Sequence, residues 1–131
     1  MPVKQESPAV NVARAHVQAW SNHDFGTART HLAADVTVTA TTTQPFMKDT
    51  NLAGIDDYMA GLEEFARGVV PGSARVIASV GDERNALLML TVEAVFGPGA
   101  PTMTLPAARL YLLDDSGKIK REQVIFYAVP G

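Results

Sequence analysis

The chain has no cysteine among its 131 residues, which excludes disulfides, thiolate metal sites and a cysteine nucleophile. It has little charge of either sign, 11 Lys and Arg against 14 Asp and Glu, for a net −3. No basic cluster stands out, so the electrostatic footprint of a nucleic-acid binder is missing. No apolar run approaches the ~20 residues of a membrane span. The opening stretch MPVKQESPAV lacks the apolar segment of a secretory leader. His16, His23 and His31 form neither an i,i+4 pair nor an H-E-x-x-H motif, so no metal site is expected. Gly97, Gly99 and Gly117 fall at strand-to-strand turns rather than in a phosphate-binding loop ahead of a helix, and no G-x-S-x-G nucleophile occurs; no cofactor is implied. The expectation is a cytoplasmic protein that engages neither nucleic acid nor membrane.

What is present is ordinary globular material. Apolar residues make up 47%, enough for a core in one domain over 1–131. Residues 1–6 read as a flexible polar lead. Ser7-Pro8 suits an N-cap with proline at the first helical position. Ala9, Val12, Ala13, His16, Val17 and Trp20 then recur at helical spacing, with Arg14, Gln18 and Ser21 off that face. Asp24 caps a second helix running through Phe25, Ala28, Leu32 and Ala33. Asp35 ends it, and Val36–Thr43 alternates as a strand with Val36, Val38 and Ala40 on one side. Gln44–Leu52 reads as irregular. Gly54 introduces a third helix with the stripe Ile55, Tyr58, Leu62 and Phe65.

Four strands follow: Ala74–Val80, Ala86–Phe96, Thr102–Leu113 and Lys118–Ala128. Gly97–Pro101 is a loop, since proline cannot pair there. The last two strands form a hairpin around Asp114–Gly117. Helices first and meandering strands afterwards predict an α+β fold, one curved antiparallel sheet with three N-terminal-half helices on its concave face.

Three stretches carry a resemblance: AWSNHDFGTARTHLAADVTV, the helix GIDDYMAGLEEF, and the closing hairpin RLYLLDDSGKIKREQVIFY. Together they resemble the NTF2-like superfamily in its SnoaL-like and ketosteroid-isomerase-like branches. The resemblance implies a cone-shaped fold with an apolar small-molecule pocket between sheet and helices. It also implies either a proton-shifting isomerase, cyclase or lyase, or a non-catalytic binding or dimerisation module. The isomerase's acid and base positions fall here on Ala40, His16, and Ala107 or Ala108. The Asp–Arg–Asp set of the epoxide hydrolases has no match, because Arg109 is followed two residues on by Tyr111.

Two residues stand out as candidates for chemistry. His16 is an imidazole on the inner face of a helix, able to act as acid, donor or base near neutral pH. Its bland reading is a core histidine tied to one buried partner. Glu122 depends on the hairpin. A type I turn with left-handed Gly117 puts Asp114 opposite Lys118, hence Leu110 opposite Glu122. Glu122 would then share the inner face with Ala108, Leu110, Leu112, Val124 and Phe126, as a base in an apolar pocket. A change of parity by one residue would set it against Arg109 as a cross-strand ion pair.

The expected pocket walls are Trp20, Val38, Ala40, Phe46, Met47, Tyr58, Leu62, Ala108, Leu110, Val124 and Phe126. His16, Tyr58 and a carboxylate in hydrogen-bond reach would favour an enzyme. The outer sheet face, read as Arg109, Tyr111, Leu113, Arg121, Gln123, Ile125 and Tyr127, predicts a symmetric homodimer.

Overall fold

A computed structural model describes residues 7–44 and 47–127. The lead 1–6, Phe46 and Ala128 lie outside the described residues. The elements are α1 (Pro8–Ser21), α2 (Phe25–Thr30), β1 (Leu32–Thr42), β2 (Thr50–Ala53), α3 (Ile55–Ala66), β3 (Arg75–Gly81), β4 (Asn85–Ala94), β5 (Met103–Leu113) and β6 (Ile119–Phe126). The six strands form one sheet in the order β2-β1-β6-β5-β4-β3. All neighbours are antiparallel except β1 and β6, which run parallel. The sheet curves around the three helices as an α+β cone. No helix among the described residues is long and apolar enough to cross a membrane.

The helix starts follow from local chemistry. Ser7 Oγ accepts from the Val10 amide at 3.1 Å, and Pro8 occupies the first turn, where its missing N–H costs nothing. Asp24 caps α2 through the Thr27 amide. α2 stops at Thr30, short of the predicted Ala33, because Leu32 already pairs with Ile119 of β6. Asp35 therefore lies inside β1 rather than at a helix end. The segment read as irregular ends in β2, which adds to β1 through Thr37–Ala53 and Ala40–Thr50. That short, polar strand carries too few apolar residues to show a period of two. Ser21, expected off the buried face, is buried; its Oγ accepts from the Ala74 amide at 3.1 Å.

The hairpin overturns one predicted register. The turn forms as expected: Asp114 and Lys118 pair, and Gly117 has φ +84°. One pair further in, however, Leu113 faces Ile119 while Leu112 faces Arg121, so Lys120 is bulged out of the ladder. The physical cause is a clash of phase within β6. Ile119 is odd in the alternation while Val124 and Phe126 are even, yet all three are buried. Each such apolar side chain is worth roughly 1.5–3 kcal/mol of burial, more than one unpaired residue costs, so a bulge resolves the conflict.

Every side chain beyond the bulge changes partner. Tyr111 stands opposite Glu122, and Arg109 opposite Val124. Ala107, Arg109, Tyr111 and Leu113 are consequently buried on the inner face. Ala108, Leu110 and Leu112, expected on the inner face, lie on the outer face, with Leu110 40% exposed.

Candidate functional site

The inner face of the sheet meets α1 and α3 at a buried polar chain. α1 contributes His16, fully buried one helical turn before Trp20. α3 contributes Tyr58, and the bulged strand β6 turns Glu122 inward beside it. The placement of Tyr58 starts at Gly54, whose φ of +90° lets its amide donate to Val36 O while its carbonyl accepts from Tyr58 N. This links the start of α3 to β1 and aims the first inward residue of α3 at β6.

The contacts run in series. His16 Nδ1 lies 3.1 Å from Ala28 O, and His16 Nε2 lies 3.0 Å from the Tyr58 hydroxyl. That hydroxyl donates to Glu122 Oε1 at 2.8 Å. Glu122 Oε2 takes a longer, 3.5 Å contact from Arg109 Nη1. Arg109 and Glu122 have side chains only 4% and 3% exposed, so this is a buried ion pair rather than a surface one. Arg109 was read as an outer-face residue; its guanidinium instead lies 4.9 Å over the Trp20 ring and 5.8 and 5.7 Å from Phe65 and Phe126. Three aromatic faces suit a cation that water cannot reach. The Tyr111 hydroxyl sits within electrostatic reach of Glu122 and Arg109 without closing a well-aligned hydrogen bond.

Burial sets the protonation behaviour. Desolvation lowers the His16 pKa to about 4; Glu122 opposes this, and His31 and Arg109 reinforce it. Burial, then the Glu122 charge, raises Tyr58 well above its ordinary value. At neutral pH the site thus holds a neutral imidazole and an intact phenol. A carbonyl only accepts, so the imidazole proton sits on Nδ1, facing Ala28, and leaves Nε2 as an acceptor.

A cavity of about 400 Å³ opens onto this chain. Tyr58, Arg109 and Glu122 form its polar end, while Val38, Ala40, Met47, Leu62, Val124 and Phe126 form apolar wall. Leu52, Gly61 and Phe65 complete it, and Lys48 and Glu64 are exposed residues of its lining. Trp20 is not a wall: it is fully buried beneath Arg109. Ala108 and Leu110 are on the opposite face, because the bulge at Lys120 shifts the register of β5 against β6. His16 lies behind Tyr58, not in the cavity lining. Leu52, Gly61 and Phe65 are walls that the sequence pattern does not predict, and Arg109, expected on the outer face or as a cross-strand partner of Glu122, pairs with Glu122 inside the cone. Arg109 is a lone cation in the apolar run AARLYLL, an anomaly that marks an inward partner once the strand's phase is known. Among the described residues no group of three or more His, Cys, Asp or Glu is placed to hold a metal ion.

Residues 13–122 match the model of the SnoaL-like domain. The chain belongs to this family. No curated protein matches this SnoaL-like domain. Among solved structures it is similar to a protein of Kribbella flavida, with 32% identity, TM-score 0.75, and coverage of 91% of this chain and 86% of that one. Its fold is also similar to RV0760c of Mycobacterium tuberculosis, solved in complex with estradiol-17β-hemisuccinate, at 14% identity, TM-score 0.74, and coverage of 91% and 93%. A third similar structure is an LEH-like epoxide hydrolase of M. tuberculosis, at 19% identity, TM-score 0.68, and coverage of 91% and 82%. The last two share the fold with this SnoaL-like domain, and one fold hosts many functions.

Proposed function

We propose that this SnoaL-like domain binds a small, largely apolar molecule in the cavity between α3 and the sheet, and shifts a proton on it. Glu122 takes the proton. Tyr58 and Arg109 hold the carboxylate in place and balance its charge. The observation that carries the reading is the position of Glu122: a carboxylate buried at the polar end of an apolar cavity, 2.8 Å from Tyr58 and 3.5 Å from Arg109. An apolar wall recognises shape and area, and a single buried base at one end gives the ligand one reactive orientation. The steroid ester held by RV0760c is of a size and polarity that suits such a wall and serves as a first probe.

A second reading, a binding module without catalysis, has its own support. The resemblance puts the carboxylates of ketosteroid isomerases at Ala40 and at Ala107 or Ala108, and all three positions hold alanine. One experiment separates the two readings. Native mass spectrometry of the purified protein, with and without the steroid ester, tests for occupancy of the cavity. Deuterium uptake into the bound molecule from heavy water then tests for proton transfer. The expected result is occupancy in both the native chain and Glu122→Gln, with exchange slowed by ~10²-fold or more in the variant, the usual contribution of a positioned base. Occupancy with no exchange in the native chain leaves the module. No occupancy by any apolar molecule sinks both.

A further inference from the structure

The contacts around Tyr58 do not balance in protons. His16 Nδ1–H is committed to Ala28 O, so Nε2 accepts only. Glu122, when ionised, also accepts only. Tyr58 lies 3.0 Å from the first acceptor and 2.8 Å from the second, yet its hydroxyl carries a single proton. With Glu122 ionised, one of the two contacts sets lone pair against lone pair. The hydroxyl prefers the charged carboxylate, since hydrogen bonds to ions are the stronger kind. Nε2 is left as a buried acceptor facing an oxygen that cannot donate to it, and such an arrangement is costly in a low-dielectric interior.

One added proton resolves the whole chain. With a proton on Glu122, the carboxyl O–H donates to Tyr58 O, the Tyr58 hydroxyl turns to His16 Nε2, and Nδ1–H keeps Ala28. Each contact then has one donor and one acceptor. We propose that His16, Tyr58 and Glu122 form a proton-accepting relay built one proton short, in which protonation of Glu122 at the cavity is coupled to rotation of the Tyr58 hydroxyl onto buried His16. His16 is a positioning residue here. It never takes the proton; it stabilises the loaded state by accepting from Tyr58. When the proton comes from a bound molecule, its C–H bond breaks, the electron pair stays on that molecule, and an O–H bond forms on Glu122. Returning the proton to another atom of the same molecule resets the relay with no external acid, base or oxidant.

The groups facing the relay are few. From the junction of α2 and β1, the His31 ring stands edge-on to His16 with centroids 5.9 Å apart, and Lys118 acts on His31. From β5, Tyr111 stands 6.2 Å from the His16 ring, and Arg109 contacts Glu122. None of them is placed to donate to His16 Nε2, which keeps the vacancy specific to Tyr58. Neutral His16 accords with its depressed pKa.

Nuclear magnetic resonance of the full chain with nitrogen-15-labelled histidine, without ligand, tests the relay separately from the ligand reading. The expected result is His16 as the neutral Nδ1–H tautomer at neutral pH. On acidification its Nε2 resonance should step toward that of a hydrogen-bonded acceptor. Glu122→Gln, whose amide N–H donates to Tyr58 O as a protonated Glu122 would, should show the stepped position at every pH. Tyr58→Phe should show no step, and gives the answer if Glu122→Gln does not fold. An Nε2–H tautomer, an imidazolium at neutral pH, or a step that survives in either variant overturns the proposal. A relay seen without any ligand bound leaves the relay standing and the ligand reading to its own test.

Discussion

At the scale of the residue, the burial of His16 makes folding sensitive to acid. Its pKa falls from 6.5 to about 4 on burial. Between those values the unfolded chain holds a proton that the folded chain does not, so unfolding takes up protons and stability falls as the pH drops. The contribution is complete above pH 6.5 and is lost through the window down to 4, a total of roughly 3 kcal/mol at ~1.4 kcal/mol per pKa unit. His31 is lowered in the same direction, chiefly by burial and then by Lys118, and adds a smaller slope of the same sign. Urea unfolding at a series of pH values between 7 and 4 measures the sum. His16→Gln keeps an acceptor for Tyr58 but cannot protonate, so it should lose most of the slope while folding at neutral pH. A variant with an unchanged slope would mean that the acid sensitivity belongs to other groups.

At the scale of the element, legibility divided along a physical line. The helices and the long strands were readable because their periods recur over many residues. Spacing alone puts His16 on a buried helix face and Val36, Val38 and Ala40 on one common side of β1, which is the side facing the core. That Glu122 and Arg109 share the inner face was not readable, because it depends on a single bulged residue at Lys120. Reading through the turn as an unbroken ladder put Ala108 and Leu110 inside and Arg109 outside, the reverse of the structure. The signal was present in the odd phase of Ile119 against the even phase of Val124 and Phe126. Both sets cannot be buried on one regular strand, whatever the turn does. β2 was missed for want of length, and with it Leu52 as a wall of the cavity.

The element that aims Tyr58 offers a direct test. Gly54 has φ +90° and ψ 147° with no atom crowding a Cβ, so a side chain there is penalised by backbone strain alone. Gly54→Ala should cost ~1–3 kcal/mol, read as a lower urea midpoint. If Gly54 is what aims the first turn of α3, the same substitution should disturb the His16 Nε2 resonance, although the two residues are on different helices. An unchanged midpoint would show that the turn relaxes without strain.

At the scale of the whole molecule, the corrected register redraws the outer surface. Arg109, Tyr111 and Leu113 leave it, and Ala108, Leu110 and Leu112 join Ile125 there. Ile77 and Val80 of β3 are 63% and 64% exposed, and Leu110 and Ile125 are 40% and 45% exposed. A shallow cavity of about 320 Å³ lies on this same face, with Val80, Leu87, Leu110, Leu112, Arg121 and Gln123 in its lining. We propose that these exposed apolar side chains of β3, β5 and β6 lose water against the same face of a second copy, related by a two-fold axis. Charge at this surface should be destructive to that contact and harmless to the fold, because exposed outer-face side chains take no part in the core. Leu110→Glu and Ile125→Lys, made singly, should convert a dimer in sedimentation velocity into a monomer, with the urea midpoint lower by no more than the lost association explains. Both substitutions point away from the cavity, so ligand occupancy should survive in the monomer. A native chain that sediments as a monomer at tens of micromolar would remove the dimer and leave the outer face open to some other cover.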